Sequence, residues 1–172
     1  MTRPTPAIGV REYRKQDLAR CRELWRSLTQ RHRDLYADPS IGGDDPGLEL
    51  DAHLADPRLA RMWVAEDGAR ILGLCGLLLS DEESELEPIV VDPEHRSRGI
   101  GRQLALRALE ESRRLGLKYL NVRPVGRNVE AIRFFHREGF RLLGRLELSM
   151  PLDSESSGWK EGVEIHERRF RY

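Results

Sequence analysis

In the stretch Val90-Val91-Asp92-Pro93-Glu94-His95-Arg96-Ser97-Arg98-Gly99-Ile100-Gly101-Arg102, an apolar strand stops at Asp92-Pro93, a turn follows, and Gly99-x-Gly101 opens a long helix. A helix N-terminus leaves several backbone N–H groups unpaired and carries partial positive charge. A diphosphate fits that geometry. Glycines without Cβ let a ligand approach the backbone closely, and Arg96, Arg98 and Arg102 add charge around it. The pattern is not the three-glycine dinucleotide fingerprint, and it lacks the Gly-Lys-Ser/Thr element of a P-loop.

Periodicity extends the reading in both directions. Downstream, Gly99–Leu115 reads as an amphipathic helix with Leu104, Leu106, Ala108, Leu109 and Leu115 among arginines and glutamates, capped by Gly116. Leu117–Val122 reads as a strand, Asn128–Glu138 as a helix, and Phe140–Leu148 and Val163–Arg171 as closing strands. Upstream, Ile8–Tyr13 reads as a strand and Gln16 to Tyr36 as a helix, with Leu18, Cys21, Leu24, Trp25 and Leu28 on one face. A turn-rich loop runs from Ala37 to Gly47, and a short helix from Leu48 to Leu54. Three strands follow, Arg61–Glu66, Ile71–Leu79 and Glu85–Val91, the first two joined by a hairpin at Asp67-Gly68. Helices between the later strands imply crossovers, hence an α/β fold with a mixed sheet.

The 172 residues suit one domain spanning residues 8–172, with a core at about 8–150 and residues 1–7 as a leader. The 29 basic and 29 acidic side chains balance, which argues against a nucleic-acid partner. The two cysteines, Cys21 and Cys75, form no metal spacing, and buried filler is the better reading of both. No metal site is expected. No signal-peptide pattern is seen, and the longest apolar run, Ile71–Leu79, is too short to span a bilayer as a helix. The expectation is a cytoplasmic protein with no membrane partner.

Two segments together carry a resemblance. Val91-x-Pro93-x-x-Arg96-x-x-Gly99-Ile100-Gly101 resembles the acyl-CoA signature of the GNAT N-acetyltransferase superfamily, Gln/Arg-x-x-Gly-x-Gly/Ala. Asn128-x-x-Ala131-x-x-Phe134-Phe135-x-x-x-Gly139-Phe140 is similar to the family's later helix, which starts at Asn and ends at Gly-Phe. The resemblance implies a splayed mixed sheet flanked by helices, with acetyl-CoA as co-substrate wedged between the strands Glu85–Val91 and Leu117–Val122. It places the pyrophosphate on the backbone of Arg98, Gly99, Ile100, Gly101 and Arg102, beside Arg96 and Ser97. It sets pantetheine along Val90 and Val91, the acetyl carbonyl at the N–H of Ile89, and Asn128 near the pantetheine arm. Pro88 suits a bulge in that strand.

The implied reaction is direct attack of a primary amine on the thioester in a ternary complex. The amine must be neutral, although a free alkyl ammonium has a pKa of about 10.4. The oxyanion needs a donor, which Ile89 N–H can supply. Glu85 and Glu87, at i and i+2 on one strand, are candidates for base or amine binding; the bland reading makes Glu85 the last member of an acidic loop. Many family members carry Tyr as general acid where this chain has Phe135, which the resemblance places at the cofactor but which cannot donate a proton. His136 reads as a surface residue, and Tyr119 is a weak substitute. Tyr36, Asp45 and Glu87 are candidates for the acceptor site, with Asp45 open to reading as turn chemistry. The acceptor is a small-molecule amine or an amine of a protein or peptide. The alternative, motivated by Phe135, is a non-catalytic acyl-CoA-binding module. A homodimer is left open.

Overall fold

The computed structural model describes residues 8–68, 70–150, 152 and 159–172. The expected leader, residues 1–7, lies outside them. Among the described residues, seven strands and four α-helices follow in chain order: β1 Gly9–Glu12, α1 Leu18–Tyr36, α2 Glu49–Leu54, β2 Leu59–Asp67, β3 Arg70–Ser80, β4 Glu83–Val91, α3 Ile100–Arg114, β5 Tyr119–Asn121, α4 Val129–Arg137, β6 Glu161–Ile165 and β7 Arg168–Arg171. The first five strands form one sheet in sequential order. β1 to β4 pair antiparallel, and β4 pairs with β5 in parallel. The mixed sheet flanked by helices is the expected α/β architecture.

β3 is the central strand, and both its faces are covered. Leu72, Cys75 and Leu77 join a core with Trp63, Leu104, Ala108 and Phe135. Ile71 and Leu74 join a second core with Cys21, Leu24 and Leu50. Burial on both faces is why its sequence is a near-continuous apolar run rather than an alternating one. α3 buries Ile100, Leu104, Ala105 and Ala108 as a helical stripe. Gly73 lets that helix sit close, because a Cβ there would stand 2.8 Å from the Val90 carbonyl oxygen and 3.2 Å from Leu104 Cδ1. A buried hydroxyl pair, Ser84 and Ser112 at 2.8 Å, ties α3 to β4.

The segment from Phe140 onward departs from the sequence reading. Phe140–Leu148 forms no strand, and Leu142, Leu143, Leu146 and Leu148 are exposed. Its apolar content suits a strand, but a strand also needs a partner edge, which local composition does not specify. Val163–Arg171 is not one strand but most of a hairpin, β6–β7, in a separate two-stranded sheet. The chain reverses at His166 and Glu167, with φ of 49° and 62°. Such tight turns favour Gly and Asn, so the sequence carried no turn signature.

Candidate functional site

The site begins where β4 and β5 part. Their parallel ladder covers only Glu83↔Tyr119, Ser84↔Leu120 and Glu85↔Asn121. β4 then runs on to Val91, with no strand beside it on that flank among the described residues. A bulge breaks the β3–β4 register between Cys75 and Leu77, and Pro88 sits opposite it, as expected. Proline has no N–H to offer a ladder. The Leu86–Val91 stretch therefore presents an unpartnered strand edge facing a V-shaped gap. Ile89 and Val91 line this stretch half-buried, and Val90 is buried.

At the end of β4 the chain makes the turn into α3. Gly99 is the helix N-cap at φ 78°, a left-handed conformation that favours glycine. No side chain caps the helix, so the N–H groups of its first turn face outward. Arg96, Ser97, Arg98 and Arg102 are all exposed around it. Arg96 and Arg98 have no ion pair among the described residues; Arg102 reaches Glu138 at 3.6 Å. A Cβ on Gly101 would meet Phe134 Cζ at 3.3 Å and Val91 Cγ2 at 3.7 Å. That position therefore faces the mouth of the gap between β4 and α4. Backbone donors, basic side chains and an open strand edge fit a CoA diphosphate with its pantetheine arm.

Asp92, which the sequence reading passed over, holds the turn. It is 4% exposed. It accepts from Glu94 N at 3.0 Å and Arg70 Nη2 at 3.2 Å, and forms a short contact with Arg20. Burial pushes its pKa up, but the Glu94 N–H, His95 and Arg20 together hold it below the usual 3.8. That contribution to stability is present above the unfolded pKa and is lost as pH falls through the folded one. Asp92→Ala is expected to cost about 2 kcal/mol, read as roughly 4–8 °C in Tm. It should also weaken CoA binding at pH 7 by loosening the turn. An unchanged Tm and Kd would make the cluster incidental. Asp92, Glu94 and His95 also converge within 4.8 Å, but the Asp92 carboxylate is already engaged by two arginines.

The two candidate acids diverge in environment. Glu85 is 7% exposed and forms a short ion pair with Arg123. Burial raises its pKa and the nearby Glu87 carboxylate adds to the rise, while Arg123 opposes it. Glu87 is exposed and in no ion pair among the described residues. His53 of α2 lies behind it. Its Nε2 stands 3.0 Å from where a Cβ of Gly76 would be, and the Glu87 carbonyl oxygen stands 2.5 Å from the same point. The ring meets Trp25 at a tilt of 46°, centroids 5.3 Å apart, and Nε2 is buried without a hydrogen bond. Burial lowers the His53 pKa, partly offset by Glu87 and Asp56.

The remaining predicted residues scatter. Asn128 caps α4 by accepting from Ala131 N at 3.1 Å, which leaves its amide donors for a ligand. Phe135 is 7% exposed and packs edge-on to Phe140 in the core, whereas its neighbour Phe134 borders the gap. Asp45 accepts from Gly47 N at 3.0 Å and pairs with Arg26 at 2.9 Å; the turn reading explains it. Tyr36 stacks on Arg127, 4.6 Å from ring centroid to guanidinium. His136 is exposed and Tyr119 is 53% exposed on the sheet edge. A separate cleft lies elsewhere, between Arg11, Asp17, Arg20, Glu66 and Arg70. Within it Arg11 pairs with Asp17 at 2.7 Å and with Glu66 at 2.8 Å, while Arg20 and Arg70 pair with Asp92 outside it. No helix among the described residues is long and apolar enough to cross a membrane.

Comparison with known proteins agrees with this geometry. The chain is 31% identical over 150 residues to the N-alpha-acetyltransferase RimI of Mycobacterium tuberculosis, covering 84% of this chain and 85% of the relative. Among solved structures it resembles a tetramutant of the BH1408 protein of Bacillus halodurans, at TM-score 0.72 and 18% identity over 84% of this chain and 99% of the other. It also resembles AAC(6')-Iy in complex with a CoA-containing bisubstrate analog, at TM-score 0.63 and 18% identity over 84% and 98%. The paia N-acetyltransferase of Thermoplasma acidophilum, in complex with coenzyme A, matches at TM-score 0.61 and 17% identity over 80% and 91%. The model of the Acetyltransferase (GNAT) family matches residues 18–140. With the parted strands and the uncapped helix start, that match makes this chain a member of the GNAT acetyltransferase family.

Proposed function

We propose that this protein transfers the acetyl group of acetyl-CoA to a primary amine by direct attack in a ternary complex. The parting of β4 from β5 beside the uncapped start of α3 carries the reading. The first-turn N–H groups of α3, with Arg96, Arg98 and Arg102, hold the diphosphate. The free edge of β4 pairs with the pantetheine amides as a strand would. The N–H of Ile89 stabilises the developing oxyanion. Glu87, exposed at the end of the parallel ladder, takes the ammonium proton directly or through water. The buried, Arg123-paired Glu85 holds that stretch of strand. No phenol stands at Phe135, so the departing thiolate takes its proton from water or from the ammonium itself.

A peptide or protein amino terminus is the first acceptor class, because the 31% identical relative is named an N-alpha-acetyltransferase. A small-molecule amine is the second. Thiol release from acetyl-CoA, measured with short peptides bearing a free amino terminus beside amine-bearing small molecules, tests this. Release above the acceptor-free rate with peptides supports the first class. Acetyl-CoA binding without thiol release across both panels would favour the non-catalytic alternative that Phe135 raises.

A further inference from the structure

Arg127, in the loop between β5 and α4, is 9% exposed yet has no carboxylate partner among the described residues. Its guanidinium lies between two aromatic faces, the Tyr36 ring at 4.6 Å and the Trp159 ring at 5.1 Å. Nη1 donates to the Leu35 carbonyl at the end of α1 at 3.3 Å, and Nε is buried with no hydrogen bond. The nearby acids are engaged elsewhere, Glu130 by Arg31 at 3.0 Å and Asp34 by Gln30 at 2.8 Å. Burying a cation is costly unless it is paired. Two rings and one helix-end carbonyl offset part of that cost but leave one edge of the fork unused. With both faces covered, only the in-plane N–H groups remain, and a guanidinium edge matches a carboxylate in two-point geometry.

Tyr36, a candidate for the acceptor site, forms one face of this stack. Tyr36 closes α1, Asn128 follows Arg127 directly, and Trp159 is held by the C-terminal hairpin through reciprocal Lys160–Tyr172 backbone bonds of 2.9 Å. Trp159 is 44% exposed. We infer that Arg127 anchors a carboxylate carried by the acceptor, so that the acceptor is an amine bearing a carboxylate. The inference rests on the acetyltransferase reading. A carboxylate of this kind comes from an acidic side chain close to a peptide amino terminus or from the carboxyl group of a free amino acid.

The test uses the full chain and matched acceptor pairs. The peptides Ala-Glu-Ala-amide and Ala-Gln-Ala-amide form one pair, and alanine with alaninamide forms the other. Acetyl-CoA thiol release gives kcat/KM, and calorimetry gives peptide or amino acid binding to the CoA-loaded protein. Wild type is expected to favour the carboxylate member of at least one pair by about 10-fold or more. A preference in the first pair identifies a peptide acidic residue, and one in the second a free amino acid. In Arg127→Gln that ratio should fall to about one. Arg127→Lys, which keeps the charge but loses the fork, should give an intermediate ratio. Equal rates for both members in wild type, or a ratio unchanged in both variants, would overturn the inference and make the stack a latch between α1 and the hairpin. Carboxylate-selective binding without turnover would keep the Arg127 site and overturn the enzyme reading. Neither binding nor turnover of any carboxylate member would overturn the site.

Discussion

Replacing Gly101 with glutamate is expected to abolish saturable acetyl-CoA binding, a loss of more than about 100-fold in Kd, or roughly 3 kcal/mol. A Cβ at this position points between Phe134 and Val91, where the gap between β4 and α4 opens. A longer side chain fills that mouth, and its charge opposes the diphosphate at the helix start. The fold should survive. Glutamate is a better helix former than glycine by several tenths of a kcal/mol, and a carboxylate in the first turn suits the helix dipole. The Phe134 ring need give only a few tenths of an ångström. Circular dichroism and Tm close to wild type, with no calorimetric signal for acetyl-CoA, is the expected pair of results. A folded variant that binds acetyl-CoA normally would remove the turn from the site.

The second large effect is on chemistry. Glu87→Gln keeps the size of the side chain and removes its basicity. General-base contributions run at about 10²–10⁴-fold, so kcat with a productive amine should fall by at least about 100-fold. Acetyl-CoA Kd should change little, because Glu87 lies beyond the diphosphate turn. The fall should come in kcat rather than in KM for acetyl-CoA, since a base acts in the transition state. Unchanged kcat would make Glu87 a surface residue and shift attention to His53, whose shielded imidazole lies against the same stretch of β4.

The parts of the molecule legible in the sequence were those set by local pattern. The strand, turn and helix around Val90–Arg102 follow from an apolar run, Asp92-Pro93 and two glycines. β2 and β3 follow from their hairpin signal, and α4 from the periodicity over Asn128–Glu138. What escaped depends on contacts distant along the chain. Asp92 meets Arg20 and Arg70 only after the sheet has formed. Arg127 acquires its two aromatic faces from α1 and from the segment before β6. Glu85 and Glu87 looked equivalent at i and i+2, yet Arg123 binds one and the bulge leaves the other exposed. Phe135 was expected at the cofactor, but the helix turns it into the core and presents Phe134 to the gap. The C-terminal hairpin stayed hidden because His166 and Glu167, and no glycine, make its turn.

Calorimetric titration of the purified protein with acetyl-CoA, beside free CoA and NADH, tests the central claim most directly. A wedge of parted strands and an uncapped helix start predicts saturable binding of acetyl-CoA and CoA at one site per chain, with no comparable signal from NADH. No binding of acetyl-CoA, or equal binding of NADH, would contradict the assignment of the β4–β5 gap as an acyl-CoA site, and the roles given to Ile89 and Glu87 would go with it.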